Sequence, residues 1–164
     1  MAIEQTLVLV KPDGVARGLI GEIIKRFEQR GLKIVALKLT KIDKDVAKQH
    51  YTEDIARRRG EAVRKRLLDF ITSGPVVAMI VEGVDAVENV RKLCGETESK
   101  SAMPGTIRGD YSHISFKHAD DKEIAVKNLV HASGNIKDAE YETKLWFTID
   151  EIHGYKRSED DHVL

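Results

Sequence analysis

Residues 73–83 read Ser-Gly-Pro-Val-Val-Ala-Met-Ile-Val-Glu-Gly, a run of six apolar side chains from Val76 to Val81 bounded by turn formers. A run this short and continuous, rich in β-branched residues, predicts a buried-type strand over Pro75–Glu82. Upstream, Thr6–Val10 is a second apolar β-rich run, stopped at Lys11-Pro12-Asp13-Gly14, and Ile34–Ile42 is a third. Downstream, Leu129–His131 forms the last strand, and His113–Phe116 is a possible short one. Between them lie helical patterns. Ile20, Ile23, Ile24 and Phe27 recur at helical spacing within Gly18–Gly31; Asp43 caps a helix running to about Tyr51. Residues 55–72 favour a helix, and Asp85 caps another that carries Val87, Val90 and Cys94. Asn135, with Asp138 three residues on, caps the last one, whose inner face is Ala139, Thr143, Trp146 and Phe147. Strands alternating with helices in this order predict a small α+β layer of the split β-α-β type, with helices on one face of the sheet.

The chain of 164 residues is read as one domain over 1–164, with a charged, loose tail from about residue 157. Apolar residues at 41% and charged residues at 33% fit a globular chain rather than a disordered one. The 27 basic and 27 acidic side chains cancel, which argues against nucleic acid or an acidic membrane surface as partner. No apolar run approaches the roughly 18 residues of a membrane span, and no charged leader with an apolar core precedes the first strand. Cys94 has no cysteine to pair with and reads as core filler. A cytoplasmic location is expected.

His131 ends a strand just before a helix whose second or third turn presents Glu142. That is the layout of a nucleophilic imidazole, which needs a rigid element beneath it and a fixed acceptor on its other nitrogen. Lys11, Arg91 and Arg108 supply cations, and Thr97 a hydroxyl, where strands or helices meet loops. Lysine offers a point charge to phosphate and arginine a fork. The loop from 96 to 111, with Pro104-Gly105, is of a length that is often functional. The chain contains no Gly-x-x-x-x-Gly-Lys-Ser/Thr and no Gly-x-Gly-x-x-Gly, so any nucleotide cradle is of another kind. His-Glu-x-x-His and calcium-loop patterns are also missing, against a protein-held metal.

Lys11-Pro12-Asp13-Gly14, Arg17-Gly18-Leu19-Ile20-Gly21-Glu22-Ile23, His50-Tyr51, Ser73–Met79, Gly95-Glu96-Thr97, Pro104–Asp110 and Asn128-x-x-His131 resemble the nucleoside diphosphate kinase family, in order along nearly the whole chain. The resemblance implies a ferredoxin-like fold with a four-stranded antiparallel sheet and surrounding helices. It implies a ping-pong enzyme that moves the γ-phosphate of a nucleoside triphosphate to a nucleoside diphosphate through a phosphohistidine. On this resemblance His131 is the nucleophile, Glu142 the carboxylate that holds it, and Ser133 the hydroxyl bridging to Glu142. Lys11, Tyr51, Arg91, Thr97, Arg108 and Asn128 fall on nucleotide-contacting positions. Mg2+ would arrive through the nucleotide phosphates, and a homo-oligomer, hexamer or tetramer, is implied. The chain departs from the family pattern in four places. Gly134 stands where the family has an aspartate, and Val63 and Arg64 stand where it has the Phe-Phe that supplies a base-stacking ring. The connection from Arg108 to His131 is longer, and the tail runs further.

The basic cluster Arg57, Arg58, Arg59, Arg64, Lys65 and Arg66 reads either as a solvated helix face, the reading preferred, or as a polyanion patch. His50 is expected to be structural, and His113, His118, His153 and His162 to lie on the surface.

Overall fold

The computed structural model describes residues 3–163. The chain opens with β1 (Ile3–Val10), the short helix α1 (Pro12–Ala16) and α2 (Ile20–Gln29). Next come β2 (Lys33–Thr40), α3 (Lys44–His50), α4 (Glu53–Arg59) and α5 (Glu61–Ile71). β3 (Val76–Val84) and α6 (Ala86–Cys94) follow, and the long connection holds α7 (Ile107–Tyr111) and α8 (Phe116–Asp121). β4 (Val130–Ala132), α9 (Ile136–Trp146) and α10 (Asp160–Val163) are the remaining elements named here.

The strands form one antiparallel sheet in the order β2-β3-β1-β4. This is the split β-α-β arrangement, with β1 paired over its full length to its central neighbour β3, from Ile3–Val84 to Val10–Val77. Alternate side chains of a strand point to opposite faces, and the two faces of this sheet feed two separate cores. Leu7, Leu9, Val76, Ala78 and Ile80 pack with Ala47, Leu68, Ile71 and Trp146, from α3, α5 and α9. Val8, Val10, Val77, Met79 and Val81 pack with Ile23, Phe27, Val90 and Cys94, from α2 and α6. The expectation of helices on one face is therefore corrected: both faces are covered. The unbroken apolar run of β3 is its signature, because a strand with one wet face would alternate. Each fully buried residue such as Phe27 contributes roughly 1.5–3 kcal/mol of burial free energy.

Four other local expectations change. The basic segment is two helices rather than one, broken at Gly60, whose φ of 94° suits glycine. His113–Phe116 forms no strand; Ser115 instead caps α8 by accepting the His118 N–H, and Phe116 begins that helix. Asp85 precedes α6 in a left-handed conformation and makes no side-chain cap, whereas Asp43 and Asn135 both cap as expected. The tail is docked: Arg157 donates to the carbonyls of Gly31 and Leu32 at 2.8 and 2.9 Å, and Asp160 pairs with Lys33. Among the described residues no helix is long and apolar enough to cross a membrane.

Candidate active site

The site begins with a strained turn. Leu129 has a φ of 74°, a region that leucine rarely enters. It is held there by the segment that follows β1. Lys11 N–H donates to Leu129 O at 2.8 Å, and the Asp13 carboxylate accepts the Leu129 N–H at 3.0 Å. A Cβ on Gly14 would lie 3.1 Å from Leu129 O and 2.7 Å from Val10 Cγ1, so glycine lets the two backbones approach. Lys11-Pro12-Asp13-Gly14 thus does more than stop a strand: it forms the turn that aims β4. Asp13 carries that role without having been singled out from sequence, although it lies inside a quoted motif. Two residues on, His131 sits opposite Leu9 in the β1–β4 pairing.

Behind His131 lies a chain of hydrogen bonds. Its Nε2 is 2.9 Å from Glu142 Oε2, and the buried Ser133 hydroxyl donates to the same oxygen at 2.5 Å. Glu142 comes from α9, whose start is fixed by the Asn135 cap. Burial pushes the Glu142 carboxyl up, but the hydrogen bond and charge of His131, with His50 and Ser133, outweigh it and hold it below the ordinary carboxylate range. An ionised carboxylate only accepts, so Nε2 carries the hydrogen and Nδ1 keeps its lone pair. His50 packs edge-on against His131, ring centroids 4.4 Å apart, and its Nδ1 accepts the Trp146 indole N–H at 3.2 Å. Burial, then the neighbouring His131, pushes the His50 pKa down to about 3. His50 is therefore a neutral buried ring, consistent with its expected structural role.

Two clefts meet at His131. The larger, of about 440 Å³, is lined by Arg91, Thr97 and Arg108; the smaller, of about 210 Å³, by Lys11, Tyr51 and Asn128. Thr97, Arg108 and His131 line both. Residues spread from 11 to 131 are thereby gathered around one imidazole, with Glu142 and Ser133 beneath it. Lys11 is buried and its Nζ hydrogen-bonds Asn128 Oδ1. Burial pushes the Lys11 pKa down to about 8, Asp13 opposing and Arg108 adding to the effect. The Asn128 amide also donates to Thr97 O at 2.7 Å. Arg108 is not a free fork: it donates to the carbonyls of Gly95, Val130 and Asn128 at 2.8, 2.7 and 3.3 Å. Three of its five N–H groups are engaged and two are left for a ligand.

The basic segment also takes a different part from the one expected of a solvated face. Arg64 is buried and donates to Tyr51 O at 2.9 Å while pairing with Glu53. Arg58, Arg59 and Arg66 line the smaller cleft, where Arg59 lies over the Phe116 ring, 4.5 Å from its centroid. Sequence pattern did not point to Phe116, which read only as the end of a possible short strand.

His50, His131 and Glu142 bring their ligand atoms within 4.8 Å of one another. They do not fit a resident magnesium ion, which wants oxygen ligands in an octahedron. Glu142 is occupied by His131 and Ser133, and His50 is turned to Trp146.

The family model described as nucleoside diphosphate kinase matches residues 4–152. A protein of Borreliella burgdorferi named nucleoside diphosphate kinase is 50% identical over 161 residues, 98% of this chain and 96% of that one. One of Pyrococcus abyssi with the same name is 51% identical over 157 residues, 96% of this chain and 92% of that one. Among solved structures, the transition-state mimic of the Borrelia burgdorferi nucleoside-diphosphate kinase with bound vanadate and ADP superposes with a TM-score of 0.96. It is 49% identical and covers 98% of this chain and 96% of that one. A halophilic nucleoside diphosphate kinase from Halobacterium salinarum in complex with CDP gives 0.83 at 42% identity, over 98% and 97% of the two chains.

Proposed function

The chain belongs to the nucleoside diphosphate kinase family, and from that premise we propose that it passes phosphate between nucleotides through a covalent phosphate on His131. The observation that carries this reading is the His131 Nε2–Glu142 pair at 2.9 Å, which leaves Nδ1 as the nucleophile at the junction of two cation-lined clefts. Nδ1 attacks the γ-phosphorus of a nucleoside triphosphate. The N–P bond forms as the bond to the bridging oxygen breaks, and that electron pair leaves on the β-phosphate of the diphosphate. The ring becomes cationic, and ionised Glu142 stabilises it. Lys11, Arg91 and Arg108 neutralise the transferring oxygens, with Thr97 as a neutral donor. Asn128 and Tyr51 hold Lys11 and the cleft wall in place. A second diphosphate then takes the group by the reverse displacement. Such chemistry rests on positioning and charge neutralisation.

Magnesium belongs to the same proposal. It would be held by nucleotide phosphate oxygens and water, and when bound it neutralises charge on the β- and γ-oxygens. Nucleoside tri- and diphosphates are the substrates. β2 is an edge strand carrying Leu37 and Leu39, 52% and 63% exposed, and an open apolar edge of this kind supports assembly with further copies of the chain. A cytoplasmic setting, where nucleotides and a reduced Cys94 coexist, completes the reading.

The test is incubation with γ-labelled ATP and magnesium, for the wild type and His131→Asn. Acid-labile, base-stable label on the wild type alone, discharged by GDP or CDP, is the expected result. Label on His131→Asn, or none on a wild type that binds ATP, would overturn it.

A further inference from the structure

We propose that the nucleoside end of the substrate is gripped by α8, with Phe116, backed by Arg59, as the wall on which the base stacks. The proposal rests on the reading above, because it takes the phosphate end to lie at His131. A nucleotide seated there puts its base in whichever cleft offers a flat ring beside apolar side chains. The larger cleft has no ring besides His131 and offers Glu88, Arg91, Lys92, Glu96 and Met103. The smaller one offers Ile55, Val63, Leu67, Ile124 and the ring of Phe116, beside Arg58, Arg59 and Arg66.

Phe116 and Tyr51 are the non-histidine aromatic rings lining that cleft among the described residues. Tyr51 belongs to its inner end, since it packs edge-on against His50, which in turn packs against His131. Phe116 therefore holds the outer position. It is also pre-positioned. Its N–H donates to Glu98 Oε1 at 2.9 Å, tying α8 to the loop that carries Thr97. Arg59 lies over its ring, and Arg66 reaches the carbonyl of Ala119 at 3.4 Å and Asp120 at 3.4 Å. Aromatic rings and guanidinium planes both stack on bases. Stacking uses the π-face that every base has, so this wall accepts purines and pyrimidines alike. The ring comes from the lengthened connection between Arg108 and His131, and the arginine packed on it from α4. The α4–α5 segment presents Val63 and Arg64 and has no ring of its own at those positions.

The experiment compares dissociation constants of ADP and CDP with that of inorganic tripolyphosphate, a probe with phosphates and no base. Phe116→Ala is expected to weaken both nucleotides about tenfold and leave tripolyphosphate unchanged, and Phe116→Tyr to restore nucleotide binding. Nucleotide affinity unchanged in Phe116→Ala would overturn the proposal, as would an equal loss for tripolyphosphate. If the alanine variant does not fold, Phe116→Leu keeps apolar packing without the π-face; wild-type nucleotide affinity in that variant also overturns it. Failure of the His131 reading would show separately, as a wild type that binds nucleotide yet forms no phosphoenzyme.

Discussion

Lys11 is the residue on which two pH effects diverge. A buried ammonium with its pKa near 8 is a cation that the fold disfavours and that, in the proposed reaction, the substrate needs. Its charge is fully present below that value, so kcat/KM, which reports the free enzyme, falls as pH rises through about 8. Bound phosphate favours the charged form, so kcat falls at higher pH. The stability sign is the reverse. The folded pKa lies below the ordinary lysine value, so the cost of burying the charge is present below about 8 and is relieved as pH climbs toward that ordinary value of 10.5. Lys11→Arg, which keeps its charge across this range, should lose the alkaline limb of kcat/KM. A wild-type profile flat from about pH 7 to about pH 10 would contradict the assignment. The residue types were legible from sequence, because lysine, arginine and histidine at strand and helix ends are visible one at a time. The Lys11–Asn128 bond and the triple grip of Arg108 were not, since each joins backbone stretches far apart in the chain.

At the scale of elements, the C-terminus of α6 and the turn before α7 form a single joint. Gly95 has a φ of 82°, and a Cβ there would collide with the Thr106 side chain and lie 3.2 Å from Ala102 Cβ. Its carbonyl is also an acceptor for Arg108. Gly95→Ala should therefore cost more than about 2 kcal/mol, lowering Tm by roughly 4–8 °C, and should lower turnover by displacing Arg108. Thermal unfolding and turnover measured together check this; a Tm equal to wild type would sink it. Asp43 and Asn135 were readable as caps because a cap involves residues two or three apart. Asp85 looked the same in sequence but adopts a left-handed conformation, which frees its side chain from the capping position. The single helix expected over 55–72 breaks at Gly60, and the strand expected at His113–Phe116 gives way to α8, whose cap is Ser115.

For the molecule as a whole, the two cores on either side of the sheet leave His50 sealed between α9 and the site. Its folded pKa near 3 lies far below that of an exposed histidine. Below about pH 6.5 the unfolded chain takes up a proton that the native state refuses, so stability declines as the pH drops from there toward 3. Between pH 7 and pH 5 the urea midpoint should fall, and His50→Phe should flatten that slope, although Trp146 loses its acceptor and the variant starts lower. An equal slope in both proteins would contradict this. By itself the sequence determined the four strands of the sheet with α2, α3, α6 and α9 between and after them, the helix starts at Asp43 and Asn135, and the inventory of chemically able side chains. All of these follow from neighbours within a few positions. Tertiary structure alone decided that helices cover both faces of the sheet, that Leu129 is held in a strained turn by Asp13, and that Arg59 packs on Phe116 in one cleft. Those outcomes depend on contacts between segments that no local periodicity relates, and they exist only once the sheet has brought the segments together.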